Sequence, residues 1–235
     1  MLLSTMSSTR KPNTAFIVGL LLTMHGFFVV PVLVAKAPLE RTMGLVQKIF
    51  YFHVPCAWLL MLSTFVCAAG SLAYLFRGSE RGDRLALCSA ELGVLFGLCV
   101  MVTGPLWARA AWGAFWTWDV RLTSSLLLWL MLIGYGLARR YGGAGGRRLA
   151  AAMALFAAAD VPLVYLSVNI WRGLHPTTKV VSSLAPGMRT PFFFSLAIFS
   201  ALWGGLLALR MRVEHSQARL VELALAVDDL EGKSS

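Results

Sequence analysis

Phe50–Phe76 reads FYFHVPCAWLLMLSTFVCAAGSLAYLF, an apolar run of 27 residues without an Asp, Glu, Lys or Arg. A helix needs roughly 20 residues to cross the hydrocarbon of a bilayer, so this run is long enough. Its apolar residues do not alternate with polar ones, and unpaired backbone is too costly in lipid for any open structure, so the run must be a helix. Five further runs are long and apolar enough: Ala15–Ala35, Leu85–Ala108, Leu122–Tyr141, Leu149–Trp171 and Phe192–Val213. The first follows Arg10 and Lys11 and is too long for the core of a secretory leader. It counts as a span, although Ala35-Lys36-Ala37 imitates a cleavage site. The expected fold is an all-α integral membrane protein, one domain of six transmembrane helices over residues 1–235.

Composition agrees. Of 235 residues, 58% are hydrophobic and only 14% charged, with a mean hydropathy of +0.71. Soluble domains carry nearer a quarter charged residues, so a soluble enzyme, a disordered chain and a disulfide-stapled secreted domain are excluded. The net charge is +10, but the 21 Lys and Arg lie in short clusters between apolar runs. Nucleic-acid binding needs a continuous basic footprint and has no support.

Basic residues also orient the spans. Thirteen of the 21 fall on one side and eight on the other, which places both termini, and the tail 213–235, in the cytoplasm. Gly78–Asp83 and Gly142–Gly146 are then short inner turns with little room for chemistry. The outer segments Lys36–Ile49, Trp107–Arg121 and Arg172–Pro191 are longer, so function is expected on the outer face.

The densest signal there is WARAAWGAFWTWDVRLT, Trp107–Thr123, with four of the eight tryptophans in twelve positions. Trp112 and Trp116 are four apart and are expected to share a helix face as a flat aromatic platform. An aromatic belt at the membrane interface would also use tryptophan, but has no need of the interleaved Asp119 and Arg121. His53 opens the second span and His175 follows the fifth, so both lie near the outer surface. Two neutral imidazoles from different helices can hold one metal centre, and histidine is a common axial ligand of haem iron.

Other polar residues are weaker candidates. His25, Glu91 and Asp160 lie within spans, where ionisable groups either pair or function; His25 is expected to have a buried partner. The four cysteines are intramembrane, with Cys56 level with Cys99, and are read as packing residues. No Cys-x-x-Cys-His occurs, so covalent haem attachment is not encoded. Gly93-Val-Leu-Phe-Gly97 matches the small-xxx-small contact pattern. No phosphate loop, serine triad or zinc-helix motif is present, and the chain reads as a non-enzyme.

At Trp112-Gly-Ala-Phe-Trp116-Thr-Trp118-Asp119-Val-Arg121-Leu-Thr123, Phe52-His53-Val-Pro55 and Leu174-His175-Pro176 the sequence resembles the WWD-domain haem-handling proteins of c-type cytochrome maturation. Its short length and six spans resemble the CcmC type within that superfamily. Phe115 departs from the bulkier aromatic often found there. The resemblance implies a haem platform over residues 107–123 (Trp107, Trp112, Trp116, Trp118) on the periplasmic side of a bacterial inner membrane. It implies non-covalent, transient haem b with His53 and His175 as axial ligands. It also implies delivery to the haem chaperone CcmE, with CcmD and the CcmA–CcmB ABC transporter as further partners. Haem propionates need cationic donors, for which Arg121, then Arg109 or Arg172, are candidates. Asp119 would repel a propionate and is expected to brace Arg121 or a platform backbone group, or to meet the acceptor. Two other readings stay open: an electron-transferring b-type cytochrome subunit and the haem permease subunit of an ABC transporter.

Overall fold

The computed structural model describes residues 14–231 apart from Arg172. Arg10, Lys11 and Lys233, used above for orientation, and the candidate Arg172 lie outside the described residues. Six helices are long and apolar enough to cross a membrane, and no strand occurs among the described residues. They are α1 Thr14–Lys36, α2 Phe50–Arg77, α3 Glu80–Trp112, α4 Val120–Tyr141, α5 Gly146–Ile170 and α6 Pro186–Glu231. All six expected spans are present, most of them longer at their ends than the apolar runs. The largest difference is α6, which continues through the tail in one 46-residue helix. The charged residues beyond Val213 interrupt hydropathy but not helical propensity.

Helix ends follow local chemistry. Ser79 caps α3, its Oγ accepting from Gly82 N at 3.1 Å. Gly113 adopts φ 79°, a left-handed conformation that closes α3 immediately after Trp112. Asp119 caps α4, its Oδ1 accepting from Leu122 N at 2.8 Å. With six alternating spans, the connections 37–49, 113–119 and 171–185 meet at one end of the bundle, called here the site end.

Helices α2 and α3 are antiparallel and pack backbone to backbone. A Cβ at Gly70 would lie 2.5 Å from the carbonyl oxygen of Gly82, so only glycine permits the approach. Small residues substitute for hydrophobic driving force in such contacts. Gly93 and Gly97 instead admit Leu132 and Trp129 of α4. A core of Leu60, Cys67, Ala86, Leu128, Leu132 and Ala154 joins α2, α3, α4 and α5. Helix α1 leans on α6, with Phe27 and Phe199 rings 5.1 Å apart. Large apolar side chains face outward, Phe76 being 81% exposed, the inverse of a soluble surface and fitting for lipid contact.

The end opposite the site is tied by charge. Arg139 donates to both oxygens of Asp83 at 2.5 and 2.8 Å, and Arg147 reaches Asp83 at 2.9 Å and Glu80 at 2.7 Å. Glu91 is likewise a structural partner, held by Arg210 at 2.6 and 2.9 Å. His25 does not have the expected buried partner: it is exposed on α1. Asp160 Oδ2 has no hydrogen-bond partner among the described residues.

Candidate functional site

His53 lies in the first turn of α2 and His175 in the α5–α6 connection, yet both line one cavity of about 1000 Å³ at the site end. Trp107 and Arg121 line the same cavity. That volume is at the upper limit for ligand pockets. A smaller hollow of about 60 Å³ adjoins it, bounded by the same four residues together with Trp112 and Trp116.

Hydrogen bonds fix the state of both imidazoles. Thr103 Oγ1 donates its only hydrogen to the carbonyl of Cys99 at 2.6 Å. It can therefore only accept from His53, whose Nδ1 lies 2.8 Å away. His53 thus carries its proton on Nδ1. His175 Nδ1 lies 2.9 Å from the carbonyl of Pro176, which also can only accept. In both rings the lone pair is left on Nε2, and neither Nε2 has a hydrogen-bond partner among the described residues. An Nδ1–H bonded to protein oxygen is the usual support for a histidine that ligates metal through Nε2.

Burial, and then the nearby Arg121 charge, depress the pKa of His175 to about 4. The ring is therefore neutral, as a ligand must be. Gly104 completes the His53 setting: a Cβ there would stand 3.3 Å from His53 Cε1, so glycine leaves room for the ring.

The tryptophans are arranged differently from the expectation. Helix α3 stops at Trp112, so Trp112 and Trp116 do not share a helix face, and no flat platform forms. Gly113 and the capping Asp119 enforce this break. Trp107 and Trp112 meet edge to face at 4.9 Å, and their rings lie 6.3 and 6.4 Å from that of His175. They wedge the histidine in place. Trp116 and Trp118 form a second edge-to-face pair at 5.8 Å. Trp116 Nε1 is buried without a hydrogen-bond partner among the described residues, whereas Trp118 is 78% exposed and lines neither cavity.

Asp119 caps α4 and accepts from Thr117 Oγ1 at 3.2 Å. It makes no ion pair with Arg121 among the described residues. Arg121 extends to the carbonyl of Tyr165 at 3.5 Å and influences both imidazoles electrostatically. Arg109 is occupied elsewhere, bonded to the carbonyl of Gly113 and stacked on Phe115 at 5.6 Å. Sequence reasoning missed Thr103, Gly104 and Trp58. Only the first had a signal, a hydroxyl toward the site end of α3, in the span that follows that of His53.

This set of side chains suits a large planar metal chelate. It offers two neutral nitrogen donors, aromatic walls, a guanidinium and a cavity of matching size. No third His, Cys, Asp or Glu joins them into a bare-metal site among the described residues.

The family model for CcmC, heme exporter protein C, matches residues 3–225. The heme exporter protein C of Bradyrhizobium diazoefficiens is 34% identical over 197 residues, 81% of this chain and 75% of that protein. That of Escherichia coli K12 is 30% identical over 184 residues, 75% of this chain and 73% of that protein. A putative cytochrome c biosynthesis ccmC-like mitochondrial protein of Marchantia polymorpha is 30% identical over 171 residues, 72% of this chain and 73% of that protein.

Proposed function

The chain belongs to the CcmC, heme exporter protein C, family, and from that premise we propose that it is a haem-holding and delivery protein of c-type cytochrome biogenesis. One observation carries the reading: two imidazoles from separate elements, each held through Nδ1 and with Nε2 left unpaired, line one cavity. Haem b is the cargo, bound without a covalent link, with His53 and His175 as axial ligands. Trp107 and Trp112 fix His175 from one side. Arg121, facing both ligands, offers a two-donor fork to a propionate. Trp116 and the exposed Trp118 form the surface an acceptor reads, and Asp119 holds that surface in shape by capping α4.

The site end faces the periplasm of a bacterial inner membrane, which the excess of Lys and Arg at the other end supports. CcmE is the acceptor in this reading, and CcmD with the CcmA–CcmB transporter completes the assembly. Any energy input comes from that transporter, since this chain has no nucleotide-binding motif. The protein binds and hands on; it is not a catalyst.

A haem titration of the purified protein tests this. The wild type should give a six-coordinate low-spin spectrum. His53→Ala and His175→Ala should each convert it toward a five-coordinate one with weaker retention. Unchanged spectra in both variants remove the ligation. Adding the acceptor should drain haem from the wild type. Haem that stays bound stoichiometrically and cycles between redox states would instead favour a b-type cytochrome.

A further inference from the structure

The cavity continues past the imidazoles. Away from the Trp-rich segment it runs between the α1–α2 and α5–α6 connections, where Arg41, Gln47 and Arg189 line it. Gln47 is only 5% exposed, and its Oε1 has no hydrogen-bond partner among the described residues. Its amide lies against the Tyr51 hydroxyl, which is also buried and unpaired, so a flipped amide accepts from Tyr51 and turns its NH2 to the other side. Neither arginine is in an ion pair among the described residues. Arg189 uses its Nε–H on the carbonyl of Leu184 at 2.9 Å, which leaves its two terminal nitrogens to face a ligand. Glu40, the acid in this lining, is turned back on its own loop. Its Oε2 accepts from Met43 N at 2.6 Å and Thr42 N at 2.8 Å, and the first of these bonds leads in holding its carboxyl below the ordinary range. The arm of the cavity is therefore rich in donors and short of acceptors, with the Trp58 ring, packed on Phe192 one turn from Arg189, beside it and Trp107 next to His175.

We propose that this arm is a carboxylate-binding subsite. Resting on the haem reading above, it receives the propionate edge of the macrocycle on Arg41, Arg189 and Gln47, and the carboxylate-free edge lies toward Trp107. A half-turn of the Gln47 amide brings its NH2 donors to the place its unpaired oxygen now occupies. The arginines supply planar forks matched to carboxylates. Arg121 stands nearer the axial ligands and complements this subsite. The orientation follows from charge: turned the other way, both propionates would lie toward the Trp107 indole and out of reach of the Arg41 and Arg189 forks.

Titration of the purified full chain with hemin and with hemin dimethyl ester, in which both carboxylates are blocked, tests the subsite. The wild type should prefer hemin by about ten- to hundredfold, the range expected for charge-assisted hydrogen bonds. The double variant Arg41→Ala, Arg189→Ala should lose that preference by binding hemin more weakly, while keeping ester affinity and the six-coordinate spectrum. Arg41→Lys, Arg189→Lys, which keeps charge without the fork, should recover part of it and serves if the alanine pair misfolds. A preference for hemin that survives undiminished in the alanine variant, or in the lysine variant where the alanine pair misfolds, overturns the subsite, as does equal affinity for hemin and ester in the wild type. Absence of any hemin binding by the wild type is a separate failure, because it overturns the haem reading itself.

Discussion

The two ends of the helix bundle treat charge in opposite ways. At the end away from the site, Asp83 is 4% exposed and accepts from both Arg139 and Arg147, and the second arginine also holds Glu80. These residues come from the ends of α3, α4 and α5, so one charge network ties three helices together. At the site end, Arg41, Arg121 and Arg189 have no acid partner among the described residues, and Gln47 Oε1 and Trp116 Nε1 are buried and unpaired. Satisfied networks rigidify a fold, and incomplete ones are costly. The difference separates a clamp that fixes helix positions from a cavity whose polar groups are completed by what it binds.

The contrast can be broken first at the clamp. Asp83→Ala leaves two arginines facing each other without their carboxylate, and removing one partner of a buried pair is expected to cost about 3 kcal/mol of stability. Unfolding of the purified protein should show that loss, while protein that remains folded keeps its haem spectrum unchanged. A changed spectrum at equal folded fraction would mean that the two ends are coupled rather than separate.

The next effect is one of pH. With a folded-state pKa near 4 against an ordinary value of 6.5, His175 is protonated more readily in the unfolded chain than in the folded one. Its stabilising contribution is complete above pH 6.5, falls as the pH drops from 6.5 to 4, and levels off below. Thermal unfolding of the haem-free protein should lose stability across that window, and His175→Asn should flatten the slope. An identical slope in the variant would assign the acid sensitivity to other groups.

The smallest effect sharpens the ligand geometry. Gly104→Ala places a methyl 3.3 Å from His53 Cε1, so the ring must shift by a few tenths of an ångström or leave its rotamer, at about 0.5–1 kcal/mol. Haem affinity should fall about two- to fivefold with the six-coordinate spectrum kept. No change would show that Thr103 alone fixes the ring.

How far the site was legible depended on how local each signal was. The charge of Asp119 leaves open whether it braces Arg121, braces backbone or meets an acceptor; the capping bond to Leu122 is local, three residues away. The Trp112–Trp116 helix face was misread because spacing alone cannot show where a helix stops; Gly113, one residue on, decided it. Thr103 is 50 positions from His53. Arg41 and Gln47 line the same cavity as Arg189 although they precede it by more than a hundred positions in the chain. None of these pairings leaves a periodic trace in the chain.

The sequence by itself determined six membrane helices, because lipid admits only self-satisfied backbone and 20-residue apolar runs can meet that demand in one way. It also determined which residue types could hold a haem, because ligation and stacking are properties of side chains. Only the tertiary structure decided which of them meet. It selected the tautomers of His53 and His175 through hydrogen bonds to Thr103 and Pro176. It turned the tryptophans edge to face, and it opened the cavity toward Arg41, Gln47 and Arg189. Such choices depend on distances between helices, and those are set by how closely glycine lets their backbones approach.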